Sequence, residues 1–177
     1  MARSGIKSTI RDVDKGYARV RTLFDNYSRR DSFAKVGLLG SEADEKTDGD
    51  LTQAEIGAVH EFGSEDGKTP QRSWIGSTFD KQRDELLRMA RELIGYVVDG
   101  KTTIEKALGI LGLKLSTEIK KTVTTGEAIP PPNAPMTLRI KEAKTKAGGA
   151  AHGVRTLVDT GRMIASVTWA VIVQGKK

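Results

Sequence analysis

Apolar residues recur at helical spacing in two long stretches of the chain. From Ser73 or Trp74 to Val98 the stripe is Ile75, Phe79, Leu86, Ala90, Leu93 and Val97, with Gly100 as the stop. From Thr103 to about Val123 it is Ile104, Leu108, Leu111, Leu115, Ile119 and Val123, with Gly126 beyond. Only Asp99-Gly100-Lys101-Thr102 separates them, so the pattern predicts an antiparallel or sharply angled pair whose stripes supply most of the core. A shorter helix is predicted from Leu51 to Gly63. Thr52 and Glu55 there have capping-box spacing, Gly63 suits the position after the helix, and Ile56, Val59 and either His60 or Phe62 face inward. A further helix, Asp14 to Ser28, carries Tyr17, Val20, Leu23 or Phe24, and Tyr27 on one side, with Asp14 as its N-cap.

Elsewhere the period drops to two. Phe33 to Leu39 alternates and then runs apolar, the pattern of a buried strand, and Ser166 to Val173 alternates through Val167, Trp169, Val171 and Val173. Ile6 to Asp12 reads either as a short edge strand or as the lead-in to the first helix. Ser41 to Asp50, rich in acids, and Ser64 to Arg72 read as polar loops, and Asp159 as the N-cap of one turn through Ile164. The sum is an α+β chain: a small, mostly antiparallel sheet packed against two long helices, in one domain over residues 1–177.

Four of the five prolines lie in Ile129 to Pro135. Proline holds φ near −65° and lacks an amide donor, so this segment is neither helix nor central strand but a stiff extended strap. A short helix is expected from Ala134 or Pro135 to Ala143, followed by a flexible stretch, Lys144 to Val154, containing Gly148, Gly149 and Gly153. Residues 129–156 are thus expected to project as a strap and arm.

Composition sharpens this picture. With 37% hydrophobic, 5% aromatic and 29% charged residues, the core is modest and neighbouring subunits are expected to add stability. The absence of cysteine removes disulfides, thiolate nucleophiles and cysteine zinc sites. The net charge of +6 is locally concentrated in Arg139, Lys141, Lys144, Lys146, Arg155 and Arg162, opposed by Glu142 and Asp159. Such a loop reads first as a solvated surface, next as a docking surface for an acidic protein, and last as a phosphate contact, because no aromatic platform interleaves the charges. No apolar run approaches the length of a membrane span and residues 1–7 lack a secretory h-region, so a soluble chain made in the cytoplasm is expected.

Reactive motifs are present only as fragments. Asp159-Thr160-Gly161 matches the aspartic-protease tripeptide but is followed by Arg162-Met163-Ile164, and a capping role accounts for it. Gly95 to Thr102 fits P-loop spacing, yet it ends a helical stripe and puts Tyr96, Val97 and Val98 where backbone must curl round phosphate. His60-Glu61 lacks the second histidine of a zincin, Ser64 standing there, and the acids from Glu42 to Asp50 lack the EF-hand order. No catalytic, cofactor-binding or metal-ligating residue is therefore assigned, and no cofactor is expected.

Several blocks occur in a telling order. They are Asp12 to Tyr17, Lys35 to Gly40, Ala54 to Gly63 (ending His60-Glu61-Phe62-Gly63), Pro70 to Phe79 (opening Pro70-Gln71-Arg72-Ser73-Trp74), the Pro-Pro-Asn strap, and Leu157-Val158-Asp159-Thr160-Gly161-Arg162-Met163-Ile164-Ala165-Ser166-Val167. Their order, across roughly residues 10 to 170, resembles the tail-component, or neck and tail-completion, family of long-tailed bacteriophages and Mu-like prophages. Thr156 precedes Leu157 where the family has proline, and the glycine-rich loop before it is longer. The resemblance implies a structural virion protein at the head–tail junction, assembled in the host cytoplasm, without catalytic residues. It implies a ring, most often a hexamer, whose partners are other copies and neck, connector or tail-tube proteins, near DNA but not specific for it; terminator, completion factor and neck ring stay open. The partner-binding residues expected are Pro130, Pro131, Pro132, Asn133, Arg139, Lys141, Lys144, Lys146 and Arg155. The alternative is a basic nucleic-acid-binding protein of DNA packaging or regulation.

Overall fold

The structure is a computed structural model that describes residues 16–27, 32–46, 50–125, 129–146, 157 and 161–173. In chain order the elements are α1 (Tyr17–Tyr27), β1 (Phe33–Leu38), α2 (Ser41–Asp44), α3 (Gln53–Phe62), α4 (Ile75–Val98), α5 (Ile104–Thr125), α6 (Pro135–Lys146), α7 (Arg162–Ala165) and β2 (Val167–Ile172). β1 and β2 pair antiparallel, in a register that sets Phe33 opposite Ile172, Val36 opposite Trp169 and Leu38 opposite Val167. This two-stranded sheet packs against α5, and α4 packs against α5 in turn, so the fold is α+β.

The core lies where these layers meet. Trp74, Ile119 and Val167 are fully buried, joined by Val123, Ile129, Met163 and Ile164, and Val36, Leu38, Ile56, Ile75 and Leu115 pack round them. Each large side chain removed from water there contributes about 1.5–3 kcal/mol. The Trp74 indole N–H also reaches the Gly57 carbonyl at 3.4 Å, which gives its one polar atom a partner.

The two long helices form as expected, and Gly100 ends the first with φ at 70°, in the left-handed region. The buried face of α5 differs from the expected one. Ala107, Gly109, Gly112, Ser116, Ile119 and Val123 are buried, so small residues occupy much of the inner side. The cause is Trp169 of β2, whose side chain lies against Gly109 and Gly112; a Cβ on Gly112 would sit 3.1 Å from the Trp169 Cβ. Glycines let the helix approach the strand closely enough for the indole to fill the space between them.

Four other readings change. β1 is a half-exposed strand, not one buried on both faces, because its sheet has only one other strand among the described residues. The acidic segment after it contains a short helix, α2, anchored by buried Ala43, and an isolated bridge between Lys46 and Thr52. The stripe of α1 does not enter the core: Tyr17, Val20 and Phe24 are exposed and Leu23 alone is half-buried among the apolar residues whose side chains are described. The N-cap of α7 is Gly161, at φ 78°, rather than Asp159. Asp14, Asp159 and the segment Ile6 to Asp12 lie outside the described residues.

Candidate assembly interface

The strap is anchored where it leaves the core. Ile129 is buried beside Val123 and Trp74, while Pro130, Pro131 and Pro132 are exposed and Asn133 is half-buried. Arg72, only 6% exposed, donates from Nε to the Pro131 carbonyl at 2.8 Å and from Nη2 to the Pro132 carbonyl at 3.2 Å. These carbonyls are available because the strap is non-helical, and a charged donor makes such bonds stronger than neutral ones. The segment expected to project therefore begins in the core and is tied to the body at two consecutive prolines.

Arg72 is itself positioned by the turn between α3 and α4. Its amide donates to the His60 carbonyl at 2.7 Å. Next to it the Glu61 carboxylate accepts from the Ser73 hydroxyl at 2.7 Å and from the amides of Trp74, Ile75 and Gly76 at 2.8, 2.9 and 3.1 Å. The end of α3 thus caps the start of α4, where unpaired amides and the helix dipole both favour a negative charge. The His-Glu-Phe-Gly and Pro-x-Arg-Ser-Trp blocks are one structural joint: Glu61 fixes the helix start, Trp74 fills the core, and Arg72 grips the strap.

The imidazole of His60 sits close to this joint. Burial, then the positive charges of Arg72 and Lys141, hold its pKa below the ordinary value of 6.5. Its Nδ1 is buried without a hydrogen-bond partner. Beside the strap, an open groove of about 480 Å³ runs between Ser73, Ser77 and Lys81 on one wall and Thr122, Ile129 and Pro130 on the other.

After Asn133 the chain turns into α6. Pro135 occupies its first position, where a missing amide costs nothing and the fixed φ suits the helix. Among the side chains described, Leu138 and Lys141 are half-buried and all others are exposed, including Arg139, Lys146, Met136 and Ile140. The helix follows the strap with most of its surface open, and its Leu138 and Lys141 side faces the body, close enough for the Lys141 charge to act on His60. Of the expected partner-binding residues, the structure thus sets Pro130 to Asn133 on the body and Arg139, Lys141 and Lys146 on one helix; Lys144 lies on the same helix, and Arg155 and the side chain of Lys144 lie outside what is described.

Sequence reasoning missed Arg72 and Glu61. A buried arginine and a carboxylate acting across a turn leave no periodic signal, and the only trace was their place in the quoted blocks. Gly95 to Val98 lie within α4, so the P-loop spacing is the end of a helix. No group of three potential metal ligands stands together among the described residues, and no described helix is long and apolar enough to cross a membrane. Comparison with protein-family models, with curated proteins and with solved structures finds no match to this chain.

Proposed function

We propose that this chain is a structural subunit of the head–tail junction of a long-tailed phage, a ring-forming neck, tail-completion or terminator protein. The observation that carries the reading is α6: an arm whose described side chains are nearly all exposed, presented on a strap gripped by a buried arginine. A helix of 12 residues gains little from its own hydrogen bonds, so leaving most of its surface open is costly unless a neighbour covers it. The exposed stripe of α1 and the exposed Phe62, Leu87 and Ile94 support the same view, since surface of this kind marks contact sites. The order of the sequence blocks points to the phage junction in particular.

The mass of the purified chain, alone and mixed with purified tails or connectors, tests the proposal. A closed oligomer or a stoichiometric addition to one end of the tail is expected; a chain present as single copies in its native particle, or absent from it, overturns it. Removing 141–153, which takes away the second half of α6 and residues 147–153, is expected to leave a folded protein and to yield unjoined heads and tails. Normal infectious particles from that deletion would remove the arm from the joining role.

A further inference from the structure

The charge of this basic protein is divided unevenly. Residues 41–66 hold nine Asp and Glu against Lys46 alone, a net −8 in a chain of +6, which leaves +14 on the remainder. The described part of that block is brought together where α2 packs on α3. Glu42, Asp44, Glu45, Glu55 and Glu65 are exposed there. The outer face of α3 also carries apolar residues one turn apart: Ala58 and Phe62 lie at i and i+4, both exposed, with Phe62 at 75%, and Leu51, exposed as well, precedes the helix.

The arm helix α6 is the counterpart in both respects. Met136, Ile140 and Ala143 lie at i, i+4 and i+7, all exposed, with Met136 at 67%. The helix carries Arg139, Lys141, Lys144 and Lys146 against Glu142 alone. Its 12 residues and the 10 of α3 make two rods of similar length, about 15–18 Å. Within the chain the two stripes are left exposed rather than packed on each other.

We infer that α6 of one copy docks along the outer face of α3 of the next, basic apolar stripe on acidic apolar stripe. This rests on the ring reading above and names the seam. The contact is heterologous, one surface meeting a different one, so repetition closes a ring when the rotation permits. A second copy is the occupant because the chain carries both complementary faces. Opposite potentials steer the encounter and fix the register, while the apolar residues supply the burial.

The test is a charge-reversal cycle on the full chain. Arg139→Glu with Lys146→Glu reverses the arm, and Glu45→Lys with Glu65→Lys reverses the block; all four side chains are exposed, so melting temperatures should hold. Mass photometry and sedimentation over a range of concentration and salt read the association. Each double reversal should weaken self-association at least about tenfold, and the quadruple variant should return to within about threefold of the parent. Phe62→Ser and Met136→Ser should each weaken it without restoring salt sensitivity lost elsewhere. Reversals that leave association unchanged, a quadruple variant that stays weak, a parent chain monomeric at all concentrations, or an α6 reversal that abolishes duplex-DNA binding and nothing else would each overturn the seam. The ring reading is judged separately, by the number of copies in purified particles: many copies with an indifferent reversal cycle would retain the ring and discard this contact.

Discussion

Single residues decide where this molecule is rigid. Gly112 lets α5 meet the Trp169 indole so closely that a Cβ there would sit 3.1 Å from the Trp169 Cβ and a larger side chain would have to displace the ring. Gly112→Leu should therefore cost about 2–3 kcal/mol through forced displacement of Trp169, despite leucine's better helix propensity, and a lowered urea midpoint would show it. His60 offers a pH readout. Its folded pKa lies below the unfolded 6.5, so the neutral ring's contribution is complete above that value and is lost as pH falls through the folded one. Between about pH 7 and pH 5 the parent should lose more stability than His60→Gln; parallel melting curves across that range check the sign. Neither residue could be assigned its role from sequence. A glycine pair in a helical stripe and a lone histidine look the same whether or not a tryptophan or a buried cation stands opposite.

At the scale of elements, the joint between α3 and α4 controls both the core and the arm. Glu61→Ala removes the acceptor for three amides and a hydroxyl and should lower stability by about 2–3 kcal/mol. Arg72→Met keeps much of the buried volume but releases the Pro131 and Pro132 carbonyls. It should cost about 2 kcal/mol and, more tellingly, speed amide exchange and proteolysis between 129 and 146 while α4 and α5 stay protected. Equal protection of the strap in parent and variant would deny the grip. The elements themselves were largely legible beforehand. Capping-box spacing at Thr52 and Glu55 marked the start of α3, and the structure shows both reciprocal bonds. Proline at position 135 and glycine at 100 marked where α6 starts and α4 stops, because these residues act through their own backbone.

For the whole molecule, the relevant quantity is how much apolar and charged surface remains open once the core is made. The core of Trp74, Ile119, Val167 and their neighbours is small, while α1, α6 and the outer side of α3 present apolar side chains to solvent. If those faces are seams, assembly and folding stability are linked. The melting temperature of the parent should then rise with protein concentration, and that of an arm-reversed variant should not. A concentration-independent melt for both would separate the two phenomena.

The sequence by itself determined the local facts: two long helices and their hinge, the cap of α3, two alternating strands, and a segment that prolines bar from regular structure. Each follows from interactions within a few residues, so spacing and residue type suffice to read it. Only the tertiary structure decided which side of α5 faces inward, that the strap is held by Arg72, that Glu61 caps a helix other than its own, and that the apolar residues of α6 stay exposed. These depend on residues far apart in the chain being brought together, and distance along the sequence carries no record of that.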